Sequence, residues 1–300
     1  MQHLAHEFKA MGTPCSFQLH AHGSEQLHRL AQQLIADVQR LEAKYSRYRP
    51  DSVLSQINQV AMSGGSVTVD EETGALLHYA DTCFQQSDGL FDITSGVLAQ
   101  VWHKGRTDVP SQAELDAPLA RVGWGRLQWT GAELVFPLPG MQLDLGGIVK
   151  EYAADRLASM CREAGVHHGF INLGGDLCVV GPQPSGDPWL VGIRSPQDAA
   201  GDGTRVPVSV GALASSGDYE RFLHIGGQRY GHILNPLTGW PTRLMASITV
   251  WAPLCVMAGS AATIAMLKED EGPAWLDELG LPCRWEKCNG DAGGTLQAPR

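Results

Sequence analysis

Charge is sparse in this chain: 18% of its 300 residues are Asp, Glu, Lys or Arg. Cations are the scarcer kind, 22 Lys and Arg against 32 Asp and Glu, for a formal net charge of −10. An acidic surface repels phosphate polymers, which argues against nucleic acid as a partner. A small phosphate ligand is not excluded, because backbone N–H groups and a metal ion bind it locally. No apolar run is long enough to span a bilayer, so no membrane insertion is expected. The most hydrophobic stretch, 246–266, is broken by Pro253, Gly259 and small polar residues. The opening MQHLAHEFKAMGT lacks a basic stretch followed by an apolar run, so no secretory signal is read and a cytoplasmic location is expected. The seven cysteines form no CxxC pair. Reduced thiols, several of them behaving as small buried hydrophobes, are the simpler expectation, with Cys283 and Cys288 the one pair open to bridging or metal binding. No internal repeat or low-complexity segment stands out.

Apolar residues make up 43% of the chain and glycines number 35. That is material for a large core crossed by many tight turns. Residues 15–21 alternate as a strand does, and 24–45 carry Leu27, Leu30, Leu34, Val38 and Leu41 at helical spacing, with Ser24 as the expected N-cap. Further helices are expected over 71–87, about 148–164 and about 256–268. Strands are expected over 169–180 (interrupted by Gly174-Gly175), 189–193, 206–210, 221–224 and 247–251, with a short hairpin at 127–129 and 134–136. Strands and helices do not strictly alternate. That favours α+β over a doubly wound parallel sheet, in one domain spanning 1–300.

Five segments could carry chemistry. In Asp144-Leu145-Gly146-Gly147-Ile148-Val149-Lys150 a carboxylate ends an expected strand, two glycines follow and a helix begins. Such a turn brings helix N–H groups and the Lys150 charge to a phosphate, or it is a plain strand–helix connection. In Ile171-Asn172-Leu173-Gly174-Gly175-Asp176 the glycines read as a bulge or as backbone pressed against a ligand. His232 is the only good general base in 230–239, whose Asn235-Pro236-Leu237-Thr238-Gly239 end is a turn signal; a structural His is the competing reading. Asp92 and Thr94, in 87–96, contact a ligand or cap the next helix. Tyr48 stacks on a planar ring or is a surface tyrosine in a helix-exit loop.

In this order the segments resemble the FAD:protein FMN transferase family, the ApbE family. The resemblance runs over about 8–268 and rests on Met11-Gly12-Thr13, on 45–52 with Leu54-Ser55 and Asn58, on Asp88 to Thr94, on the DLGGIVK and INLGGD segments, and on His232 to Pro241. It implies an α+β, T-fold-like domain of two lobes with FAD in the cleft between them. It also implies cleavage of the FAD diphosphate, covalent attachment of FMN to a Ser or Thr of an acceptor flavoprotein, and release of AMP. By carry-over, Met11, Tyr48, Phe91, Asp92, Asp144, Lys150 and Ile233 would line the FAD site and His232 would act in acid/base chemistry or position the diphosphate. The Gly147 carbonyl and Thr263 hydroxyl would be ligands to Mg²⁺.

Two positions depart from the family pattern. Gly259 stands where the family has its metal-binding Asp, and Glu151 stands where it usually has Gly. Mg²⁺ prefers hard anionic oxygen, so losing the first carboxylate should weaken metal binding unless Ser260, water or the FAD phosphates compensate. Glu151 is a candidate to supply the lost charge from the opposite wall. The alternative is a family member with weak or lost transfer activity, acting as a flavin-binding protein or a slow FAD pyrophosphatase. Residues 283–300 lie beyond the matched region and read as a loosely ordered tail.

Overall fold

The structure is a computed structural model, and it describes residues 1–196, 203–218 and 222–296. The N-terminal part runs β1 (Gln2–Ala10), β2 (Thr13–Ala21), α1 (Ser24–Tyr45), α2 (Val53–Ser63), β3 (Gly65–Thr68) and α3 (Glu71–Gln86). A 3-10 segment (Ile93–Gln100) leads to α4 (Gln112–Leu119), β4 (Gln128–Trp129), β5 (Glu133–Phe136) and α5 (Val149–Glu163). Then follow β6 (His168–Leu173), β7 (Asp176–Gly181), β8 (Trp189–Ile193), β9 (Thr204–Val208), β10 (Ala212–Gly217), β11 (Phe222–Ile225) and β12 (Gln228–Gly231). The chain finishes with β13 (Met245–Ala252), α6 (Cys255–Lys268), α7 (Gly272–Glu278), β14 (Cys283–Lys287) and β15 (Ala292–Gly294).

An eight-stranded sheet in the order β1-β2-β6-β7-β10-β13-β14-β15 forms the frame, and every recorded strand pairing is antiparallel. This is the α+β arrangement expected from the non-alternating elements. Helix α1 forms because its apolar residues recur every three or four positions. Leu27, Leu30, Leu34, Val38 and Leu41 are all buried against the sheet side of the core. Its N-cap is Gly23 rather than the expected Ser24, which is the first helical residue. Arg221, at the start of the strand expected over 221–224, lies outside the described residues.

The central strands β7 and β13 are buried almost throughout. Strand β7 has cover on both faces. Helices α5 and α6 pack on one. On the other, Leu177, Val179 and Leu213 meet Ile193, Val206 and Val208 of the β8–β9 ribbon. Two-sided burial explains why β7 reads as a continuous apolar run from Leu177 to Val180 rather than an alternating one.

The expected loose tail is corrected: Cys283–Lys287 pairs antiparallel with β13 and carries β15 on its outer edge. All seven thiols are free, six buried and Cys288 exposed. Cys283 and Cys288 are thus unbridged.

Candidate functional site

Two hairpin turns stand side by side at one rim of the sheet. Met11-Gly12 joins β1 to β2, and Gly174-Gly175 joins β6 to β7 with Leu173 opposite Asp176. They are neighbours because β2 pairs with β6, Cys15 facing Leu173, and the Gly174 N–H donates to the Pro14 carbonyl at 2.9 Å. The glycine pair is therefore a two-residue hairpin loop, not the expected bulge. Its φ values of 65° and 98° are the left-handed pair such a turn needs. A Cβ at position 174 would fall 2.6 Å from Thr13 Oγ1, so glycine is required there on two counts.

The wall opposite is the Asp144 segment. Residues 141–145 are extended but pair with no strand, which corrects the expected strand end. A side-chain clamp replaces the ladder: Asn58 donates to the Leu143 carbonyl (3.0 Å) and accepts from its N–H (2.7 Å). The Asp144 N–H donates to the Ile93 carbonyl at 2.7 Å. The Asp144 carboxylate takes Arg47 Nη1 at 2.5 Å and the Gly146 N–H at 2.8 Å. Phe91, 6% exposed, lies beneath Gly147 and sets the height of the loop. The N–H groups of Ile148 and Val149 both reach the Leu145 carbonyl at 3.0 Å. Several amides at this helix entrance are thus spent locally.

Lys150 projects from the first turn of α5 to two carboxylates, Asp176 and Glu151, the latter at 3.0 Å. Asp176 also accepts from the Ser215 N–H at 3.2 Å, tying the β6–β7 turn to β10. Thr263 on α6 shares a hydrogen bond with Ser216 at 2.8 Å. Asp155, one turn along α5 from Glu151, accepts from the N–H groups of Cys255 (2.7 Å) and Val256 (2.9 Å) and so closes the N-terminus of α6. Burial pushes the Asp155 carboxyl above its ordinary value. Among the described residues, no group of three or more His, Cys, Asp or Glu side chains is placed to hold a metal ion.

Asp92 is 7% exposed. Its Oδ1 accepts from the N–H (2.7 Å) and hydroxyl (2.6 Å) of Thr94, and its Oδ2 from the Trp124 N–H (2.9 Å). Burial raises its carboxyl as well. It therefore caps the 3-10 segment and anchors Trp124, as one of the two sequence readings has it, and it also lies on the cleft lining. Tyr48 is 85% exposed with Arg47 stacked 5.4 Å from its ring centroid. His232 is exposed and Ile233 buried. They enter a turn in which Asn235 Oδ1 accepts from the N–H groups of Leu237 (2.9 Å) and Thr238 (3.2 Å).

These walls enclose a cleft of about 1080 Å³. Met11, Tyr48, Phe91, Asp92, Asp144, Gly147, Lys150, His232, Ile233 and Thr263 all lie on its lining, with Glu151. Gly259 does not; it sits behind Glu151, where a Cβ would fall 2.6 Å from Glu151 Cγ. Sequence reasoning missed Arg47, although it lies next to Tyr48, and Asp176, whose motif was read only for its glycines. It also missed Asp155, whose i+4 spacing from Glu151 was the available signal.

The ApbE family profile matches residues 11–285. The chain belongs to the ApbE family. A relative from Chlamydia pneumoniae named FAD:protein FMN transferase is 30% identical over 259 residues, which cover 83% of this chain and 80% of that protein. The crystal structure of the ApbE protein from Thermotoga maritima superposes with a TM-score of 0.88 at 28% identity, covering 98% of this chain and 97% of that one. A flavin transferase ApbE from Vibrio cholerae superposes with a TM-score of 0.87 at 26% identity, again over 98% and 97%. An ApbE chain of this length is thus matched across nearly its whole fold, including the C-terminal strands the sequence had left as a tail.

Proposed function

We propose that this ApbE-family chain is an FAD:protein FMN transferase that moves FMN from FAD to a Ser or Thr hydroxyl of an acceptor flavoprotein. The observation that carries the reading is the convergence of Met11, Tyr48, Asp144, Lys150 and His232, from four separated stretches, on one cleft. The cleft's volume is just above the roughly 300–1,000 Å³ range of small-molecule sites, room enough for a dinucleotide.

The roles follow from placement. Tyr48 offers an exposed aromatic face to a planar ring. Lys150 brings a cation to the diphosphate, its position fixed by Asp176. Arg47 and Gly146 hold Asp144 rigid at the loop that borders the ligand. The acceptor oxygen bonds to the FMN phosphorus as the bond to the bridging oxygen breaks. That oxygen leaves with AMP, and His232 takes the acceptor's proton or orients the diphosphate. Mg²⁺, when bound, would neutralise charge on the diphosphate. Thr263 and the Gly147 carbonyl are oxygen donors that would hold it. Location in the cytoplasm is part of the same proposal and awaits direct localisation.

The test is incubation with FAD, Mg²⁺ and a candidate acceptor. A protein-bound yellow fluorophore together with free AMP is expected. FAD binding without either product would favour the second reading, a flavin-binding member with weak transfer, which the absence of a carboxylate at Gly259 supports.

A further inference from the structure

Glu151 is buried, 7% exposed, in the first turn of α5. Its Oε1 is paired with Lys150, but its Oε2 is buried with no hydrogen-bond partner. A buried carboxylate oxygen left without a donor is costly, because nothing replaces the water it gave up. Glu151 lines the cleft, and a carboxylate there with one oxygen unpaired calls for a positively charged occupant. The space it fills is that of another residue: a Cβ at 259 would lie 2.6 Å from Glu151 Cγ and 3.1 Å from Cδ and Oε1. No side chain larger than glycine is compatible with Glu151 in this position.

We infer that Glu151 is the carboxylate donor to a divalent cation between α5 and α6, occupying from α5 the place a side chain at position 259 of α6 would otherwise fill. The inference rests on the flavin-nucleotide reading of the cleft. Thr263 follows Gly259 by one turn and shares its helix face, and Gly147 precedes Glu151 by one turn at the helix entrance. One carboxylate with neutral oxygens and a ligand's phosphates is a donor set Mg²⁺ accepts, and it explains why no three-residue acidic or imidazole cluster is found among the described residues. Ser260 is not the substitute: its hydroxyl bonds the Val256 carbonyl (2.7 Å) and Tyr79 (2.6 Å). Lys150 supports the assignment, since its ammonium already shows that the Glu151 and Asp176 carboxylates together hold a cation.

Mn²⁺ binding, followed by its electron paramagnetic resonance signal in the presence of ADP, reads the site without requiring turnover. Glu151→Gln keeps shape and removes the charge. It is expected to weaken Mn²⁺ binding about tenfold or more. The exchange Glu151→Gly with Gly259→Asp removes the clash and returns a carboxylate from the other helix; it is expected to recover most of the lost Mn²⁺ affinity. Melting temperatures without metal establish that each variant is folded. Wild-type Mn²⁺ affinity in Glu151→Gln, or no Mn²⁺ binding by the parent, overturns the inference. Loss of FAD binding by the parent itself would instead overturn the reading of the cleft.

Discussion

Asp155 and Cys255 lock the two helices behind the cleft: the Asp155 carboxylate receives the first two amides of α6, and one helical turn away Glu151 meets Gly259. The contacts run in opposite directions along the two helices, 151 to 155 against 259 to 255. A single side chain thus helps set the register in which Thr263 and Leu267 of α6 reach the cleft lining. Asp155→Ala leaves two amides of a buried helix end unsatisfied and is expected to destabilise the fold by about 1–3 kcal/mol. Urea denaturation of the variant against the parent measures it; a change below about 0.5 kcal/mol, the ordinary surface range, would contradict this pinning role.

Glu72 contributes to stability against acid. It accepts both Arg40 nitrogens (2.8 and 2.9 Å), Lys44 (2.8 Å) and the Tyr152 hydroxyl (3.3 Å), joining α1, α3 and α5. The hydrogen bonds from Arg40, then those from Lys44, hold its carboxyl at about 2 against an ordinary 4.5. The contribution is complete above pH 4.5 and is lost as pH falls toward 2. Allowing for partial solvent screening, it amounts to about 1–2 kcal/mol. Glu72→Gln should lose that amount at pH 7 and show a flatter decline in stability between pH 4.5 and pH 2.

Much of this architecture was legible because each helix buries one face. The apolar spacing of Leu27 to Leu41 gives α1 its bounds, and α3, α5 and α6 fall within a residue or two of their expected limits. Strand β10 was not legible, since Ala212-Leu213-Ala214-Ser215-Ser216-Gly217 carries little of the β-branched signal of a strand. Strand β14 owes its place to pairing with β13, a long-range contact that local pattern does not encode. The β6–β7 turn was hidden for a different reason: two buried strands joined by two glycines read as one interrupted strand. For the site, motif residues were identified and the structure brings them together. What local sequence did not disclose is partnership: Arg47 with Asp144, Asp176 with Lys150, and Asp155 with the start of α6.

Gly174 offers a test of the rim. Substitution by Ala forces a left-handed φ of 65° on a residue with a Cβ and drives that atom into Thr13. A loss of about 1–3 kcal/mol is expected, with weaker FAD binding because the neighbouring Met11-Gly12 turn must shift. The pair Gly174→Ala with Thr13→Gly should regain part of the stability lost to the clash but not the part due to backbone strain; calorimetric melting temperatures of both variants read the difference.

Tyr48 separates binding from folding. At 85% exposure its removal costs the fold little, within about 0.5 kcal/mol. If its ring stacks on the flavin or adenine, Tyr48→Ala should weaken FAD binding by about 1 kcal/mol, roughly fivefold, and Tyr48→Phe should not. Flavin fluorescence titration decides it, and equal affinities for all three proteins would remove Tyr48 from the site.

The distribution of thiols has a practical outcome. With six of seven sulfhydryls sealed in the interior, a maleimide applied to the native protein meets one ready target, Cys288, just past the end of β14. A dye placed there without any engineered cysteine would report on the C-terminal strands, and the appearance of further labelled positions on heating would record the opening of the interior.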